Sequence, residues 1–157
     1  MINTSQSPSK LFRCVAPIAM LLLATSSVYA QQPLSLSLTG ASEVPPVSTS
    51  ATGTGQLTIK SDYTVTGSIK YSGLTATMAH IHEAAAGKNG PPIIPLTQSG
   101  NDTFVVPPGA KLTNAQYESY MAGNLYVNVH SAAHPGGEIR AQLQRPEKAE
   151  APMRPQY

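Results

Sequence analysis

Gln56 to Tyr71 reads QLTIKSDYTVTGSIKY, an alternation of apolar and polar residues broken once in the middle. Leu57, Ile59, Val65, Ile69 and Tyr71 take one parity; Thr58, Lys60, Thr66, Ser68 and Lys70 take the other. A period of two puts each set on its own face of a strand, so the stretch predicts a hairpin with one buried face, turning at Ser61–Asp62. The same pattern recurs in PLSLSLTG (Pro33 to Gly40), where Leu34, Leu36 and Leu38 point inward, and in GNLYVNVH and GEIRAQL near the end. ATMAHIH and the short DTFVV are further strands. Short strands separated by Gly, Pro, Ser and Thr turns predict an all-β fold. The expected form is an antiparallel, Greek-key-like β-sandwich of about seven to eight strands.

One helix interrupts the pattern. LTNAQYESYMAGN offers Thr113 as N-cap, Gln116 as its capping-box partner and Gly123 as the stop, which predicts one short connecting helix packed on the sheet.

The ends differ from the middle. Lys10 and Arg13 precede the apolar run VAPIAMLLLA (Val15 to Ala24), and VYA places small residues before a cleavage point after Ala30. Residues 1–30 are therefore expected to be a cleaved signal peptide, since the run falls well short of the roughly 20 apolar residues that span a bilayer. Residues 31–144 form the expected domain. Residues 145–157, RPEKAEAPMRPQY, are Pro-rich, charged and aperiodic, and read as a disordered tail. Cleavage would remove two basic and no acidic residues, leaving 8 of each sign from an initial 10 and 8. A neutral domain has no basic patch for nucleic acid or anionic lipid. Cleavage would also remove Cys14, the only cysteine. Thiolate ligands, Fe–S clusters and thiol catalysis are thereby excluded, and no disulfide stabilises the domain. Asn101, in NDT, is a glycosylation sequon in a host that uses it.

The chain has four histidines, gathered as His80 and His82 in MAHIHEAAAG and as His130 and His134 in NVHSAAHPGGE. Positions i and i+2 share a strand face, so His80 and His82 project together with Met78, while Ala79 and Ile81 take the core. The closing hairpin pairs its apolar sets (Leu125, Val127 and Val129 with Ile139, Ala141 and Leu143) if Asn128 lies opposite Arg140 and His130 opposite Glu138. Both histidine groups then lie on outward faces. If the two strands are neighbours, three or four imidazoles converge on one ion, with His134 folding back from its loop. Imidazole suits copper or zinc rather than calcium or magnesium. The same spacing also fits a solvated surface strand. Met78 fits either a soft ligand or packing. Glu43, Glu83, Asn128, Glu138 and Arg140 are candidates to orient the imidazoles from behind, with a structural ion pair the favoured alternative for Arg140.

Several segments carry a resemblance. GASEVPPVSTSATGTGQLTI, GLTATMAHIH, NGPPIIPL and LTNAQYESYMAGNLYVNVHSAAHPGGEIRAQL together resemble the CHRD domain, first defined in chordin and widespread in exported bacterial proteins. The similarity runs from Leu34 to Leu143, and AHIH and LYVNVH…PGGEIR are its most specific marks. The His-x-His strand and the distant Val-His are similar to the copper-ligand strands of Cu,Zn superoxide dismutases, which implies His80, His82 and His130 as copper ligands. The chain departs from that pattern, with no further histidines to bind a bridged zinc and no disulfide. Glu83 stands where CHRD members usually place glycine. His134 stands where they more often have a nonpolar or aromatic residue, which makes it this chain's own candidate for a fourth ligand.

Three functions follow as expectations. The first is an exported protein, periplasmic or secreted, that holds or delivers a copper ion (zinc is the alternative) through His80, His82, His130 and His134. The second is a dismutase-like copper enzyme in which Arg140 steers an anion to the ion. The third is an extracellular interaction module with incidental histidines. No Ser/His/Asp arrangement, nucleophile elbow or phosphate loop is present, which favours binding over catalysis. The expected partner is a metal ion, without nucleic acid or, after cleavage, membrane; the sequence indicates no protein partner.

Overall fold

The computed structural model describes residues 32–144, so the expected signal peptide and tail lie outside the described residues. Nine strands and one helix follow in the order β1 (Leu34–Thr39), β2 (Thr52–Ile59), β3 (Val65–Ser72), β4 (Ala76–Glu83), β5 (Pro92–Pro95), β6 (Thr97–Gln98), β7 (Thr103–Val105), α1 (Asn114–Met121), β8 (Leu125–Ser131) and β9 (Ile139–Gln142). All pair antiparallel in one sheet, ordered β5-β4-β8-β9-β1-β2-β3-β7-β6. β5 and β6 lie at opposite edges of that sheet, yet only Leu96 separates them in the chain. The sheet must therefore curl until its edges meet in a seam at Leu96, whose N–H donates to Ala79 O in continuation of the β4–β5 ladder. The fold is all-β, two layers of a curled sheet around one core, with a single short helix.

The opening hairpin forms as its alternation dictates. Leu57, Ile59, Val65, Ile69 and Tyr71 are all buried, and Ile59 pairs with Val65. Its connection is a tight turn in which Tyr63 takes a left-handed conformation (φ 70°) and the Asp62 carboxylate accepts from Thr64 N–H. β2 begins four residues earlier than its strongest alternation, at Thr52. Gly53 and Gly55 continue the inward parity of Leu57, and a Cβ on Gly55 would lie 2.5 Å from Ile69 Cδ1. The side chain of Ile69, its cross-strand partner on β3, fills the space that a side chain at Gly55 would need.

Two strands beyond the expected set account for the count of nine. β5 contains Pro92 and Pro95, which suit only an edge strand because they donate nothing to a ladder. β6 is two residues long. The helix forms as its ends predict: Thr113 caps Gln116 N–H, Gln116 accepts from Thr113 N–H, and Gly123 follows at φ 77°. Tyr120 anchors it in the core, and the Tyr117 ring packs tilted against Tyr63 at 4.9 Å. Among the described residues, no helix is long and apolar enough to cross a membrane.

Candidate metal centre

β4 and β8 are neighbours, with Met78 opposite His130, His80 opposite Asn128 and His82 opposite Tyr126. β8 pairs in turn with β9 so that Asn128 faces Arg140 and Tyr126 faces Gln142, the register the two apolar sets require. Leu125, Val127, Val129, Ile139, Ala141 and Leu143 are buried beneath. Above them lies a grid of polar side chains, Met78–His80–His82 in one column, His130–Asn128–Tyr126 in the next and Arg140–Gln142 in the third.

This face points away from the apolar core, as expected, but it is not open to solvent. His82 is 7% exposed, His130 5%, Asn128 1% and Arg140 1%. Three connections fold over the face and satisfy it with main-chain carbonyls. Residues 84–90 supply Ala84 O to Gln142, Lys88 O to Arg140 and Gly90 O to His82. The turn after β8 supplies Pro135 O to His130. The segment after β1 supplies Thr49, whose hydroxyl donates to Glu138, and Val44 O, which accepts from Asn89. The outer face is a second, polar core. Alternation shows which residues oppose the apolar core, but not whether a distant loop returns to cover them.

Within it, one nitrogen from each of His80, His82 and His130 lies within 4.8 Å of the others. His82 Nδ1–H donates to Gly90 O at 2.9 Å, and His130 Nδ1–H donates to Pro135 O at 3.0 Å. Each bond fixes a tautomer in which Nε2 holds the lone pair. His82 Nε2 is buried without a hydrogen-bond partner, and His130 Nε2 accepts from His80 Nδ1–H at 3.1 Å, a proton that an ion at the triad would replace. Burial holds all three imidazoles below their usual pKa, so they are neutral at pH 7. For His82 and His130 the neighbouring imidazole of His80 adds a further downward push.

These features fit a transition-metal ion. A tetrahedral ion about 2.0–2.1 Å from each nitrogen needs them roughly 3.4 Å apart. The hydrogen-bonded His80–His130 pair stands near that spacing at 3.1 Å, and all three nitrogens lie within 4.8 Å, so a small closure seats an ion. The ligands are neutral, and two are oriented by carbonyls behind them, as metal-bound imidazoles characteristically are. An unsatisfied buried nitrogen otherwise costs about 1–3 kcal/mol, which an ion would relieve. With nitrogen as the only donor type, the set suits copper or zinc and not a hard oxygen-seeking cation.

The profile of the CHRD domain matches residues 34–143. The chain belongs to the CHRD domain family. Neither a curated protein nor a solved structure matches it. CHRD domains occur in extracellular proteins.

The remaining candidates of this CHRD domain occupy different places. His134 lies outside the triad, half-buried in the turn after β8, where its carbonyl accepts from Gly137 N–H. It lines a groove of about 650 Å³ with Glu43, Val44, Pro45, Asn89 and Pro135. Glu83 accepts from Ser119 of α1, and Glu138 accepts from Thr49. Arg140 departs from the expected ion pair: among the described residues no carboxylate lies within 4.0 Å of it, and Lys70–Asp102 is the one such pair. Its guanidinium instead donates to Lys88 O, Asn89 Oδ1 and Gln142 Oε1, and lies 3.4 Å over the ring of Tyr126. So enclosed, its guanidinium makes no contact with solvent. Tyr126 stacks its other way on His82 (4.7 Å, 8°), joining Arg140 to the triad through one aromatic ring. The parity it shares with Asn128 and His130 in LYVNVH is the sequence signal for this position of Tyr126.

Glu43 is the anion nearest this cation in effect. It is 5% exposed, and burial pushes its carboxyl up to about 7 despite the opposing pull of Arg140, Asn128 and the Val44 backbone. Its Oε1 and the Asn128 Oδ1 are both buried without partners. Gly137 (φ 131°) closes over them, where a Cβ would lie 2.4 Å from Glu43 Oε1.

Proposed function

We propose that this exported CHRD domain binds a copper ion through His80, His82 and His130, and holds it or passes it on rather than turning over a substrate. One observation carries the reading. Two backbone carbonyls, Gly90 O and Pro135 O, take the Nδ1–H of His82 and His130, which turns both Nε2 lone pairs toward the space beside His80 Nδ1. A hydrated surface histidine has no need of such fixing. The triad's position within a loop-covered face also keeps the ion from bulk ligands while leaving His80, the most exposed of the three, as a way in.

Calorimetry on the tag-free chain from Gln31 tests the reading. Cu(II) is expected to bind one-to-one with Kd tighter than about 10 μM, near −7 kcal/mol. His82→Ala should abolish both the binding and the rise in melting temperature that an ion bound only to the folded state produces. Weaker binding in the native protein, or an unchanged rise in His82→Ala, overturns the proposal.

A further inference from the structure

Along β4 the exposure of one face falls steadily inward: Met78 is 47% exposed, His80 intermediate and His82 7%. Met78 is in register with His130, and it shares the face of His80 two residues on. Directly opposed residues in an antiparallel pair stand about 4.5–5.5 Å apart at Cβ. A thioether on three rotatable bonds spans that distance to the neighbouring imidazoles. Met78 is also misplaced as packing, being one of two large apolar side chains exposed among the described residues. The other, Met121, lies on α1 and not on β4.

We propose that Met78 is a soft arm of the copper site, closing on Cu(I) at the mouth of the triad and leaving Cu(II) to the imidazoles. This rests on the copper-binding reading above and extends it to the monovalent ion. The chemistry separates the two states. Thioether sulfur is a soft donor that favours Cu(I), whereas imidazole nitrogen serves either state. Cu(I) also accepts low coordination numbers, so a single sulfur swinging over His80 and His130 completes its set. Met78 gains little by pointing into water and can move without disturbing the core. The arrangement gives the domain a way to take the reduced ion at its exposed end and hold it further in, with no redox step required of the protein.

The test compares the tag-free chain with Met78→Leu and, as a control, Met121→Leu. Cu(I) affinity is measured anaerobically by competition with a chromophoric Cu(I) chelator, Cu(II) affinity by calorimetry, and sulfur ligation by X-ray absorption of the Cu(I) form. Met78→Leu is expected to weaken Cu(I) binding by about tenfold or more and to remove the sulfur scattering, while Cu(II) binding stays within about twofold. Met121→Leu should change neither. If Cu(II) binds through the histidines but Cu(I) shows no sulfur, or Met78→Leu leaves Cu(I) affinity intact, Met78 has no such part and the triad stands. If neither ion binds the native chain, the triad itself fails and this inference falls with it.

Discussion

Replacing Glu43 with glutamine should make the domain more stable at neutral and alkaline pH, and this follows from the balance of charges around one carboxyl. Glu43 rises from an ordinary 4.5 to about 7, chiefly because burial disfavours its anion. The attraction of Arg140 is already within that balance and does not outweigh burial. Below pH 4.5 the carboxyl is protonated in both folded and unfolded chains, so it contributes nothing to the pH dependence. Between pH 4.5 and about 7 the unfolded chain gives up the proton while the folded chain keeps it, and stability falls as pH rises. At about 1.4 kcal/mol per tenfold change in proton affinity the loss approaches 3 kcal/mol. Glu43 borders the groove, and solvent screening brings the expected figure to about 2–3 kcal/mol. Glutamine has the same shape and does not titrate. Urea denaturation of both proteins, with chelator present, at about pH 4 and pH 8 measures the difference. The histidines titrate equally in both proteins and cancel. The advantage of Glu43→Gln should grow by about 2–3 kcal/mol between the two conditions; an advantage that is the same at both, within about 0.5 kcal/mol, refutes the reasoning.

Metal affinity should be nearly constant above pH 6.5 and weaken as pH falls below it, because burial holds the triad's imidazoles under 6.5 and only protonation competes with the ion; competition titrations across that range check it. His134→Ala, outside the triad, should leave Cu(II) affinity within about twofold by calorimetry. Arg140→Met keeps most of the stem but removes three hydrogen bonds and the contact with Tyr126, and should cost about 2–4 kcal/mol in denaturant unfolding. Gly137→Ala places a Cβ against Glu43 and Asn128 at a φ that side chains avoid; a loss of about 1–3 kcal/mol is expected by the same measurement.

Much of the fold was readable because its signals are local. The hairpin at Gln56–Tyr71, the Asn128–Arg140 register and the capping box at Thr113 each depend on residues near one another, and each forms as its pattern requires. β5 and β6 were not readable: two prolines argue against a strand unless it is known to be an edge, and edge position is a property of the whole sheet. The same division runs through the metal centre. Parity put His80 with His82 and placed His130 on the polar side of its hairpin. Their convergence needed β4 beside β8, a pairing across some fifty residues that no local pattern encodes. Burial of the polar face was missed for a related reason, since the carbonyls that receive His82, His130 and Arg140 come from segments with no periodicity to announce them. Arg140 shows the result most plainly: a charge that reads as half of an ion pair is held by carbonyl, amide and aromatic ring instead.

The seam at Leu96 bears on how copies of this domain behave in company. A sheet rim with free amide and carbonyl groups invites a stranger's strand, and crowding turns that invitation into fibres or exchanged dimers. Here one rim is a four-residue strand bounded by Pro92 and Pro95, the other is Thr97–Gln98, and the chain between them draws the two together. Neither offers a length of backbone worth pairing with, so neighbouring copies at high density can stay separate without any covalent lock.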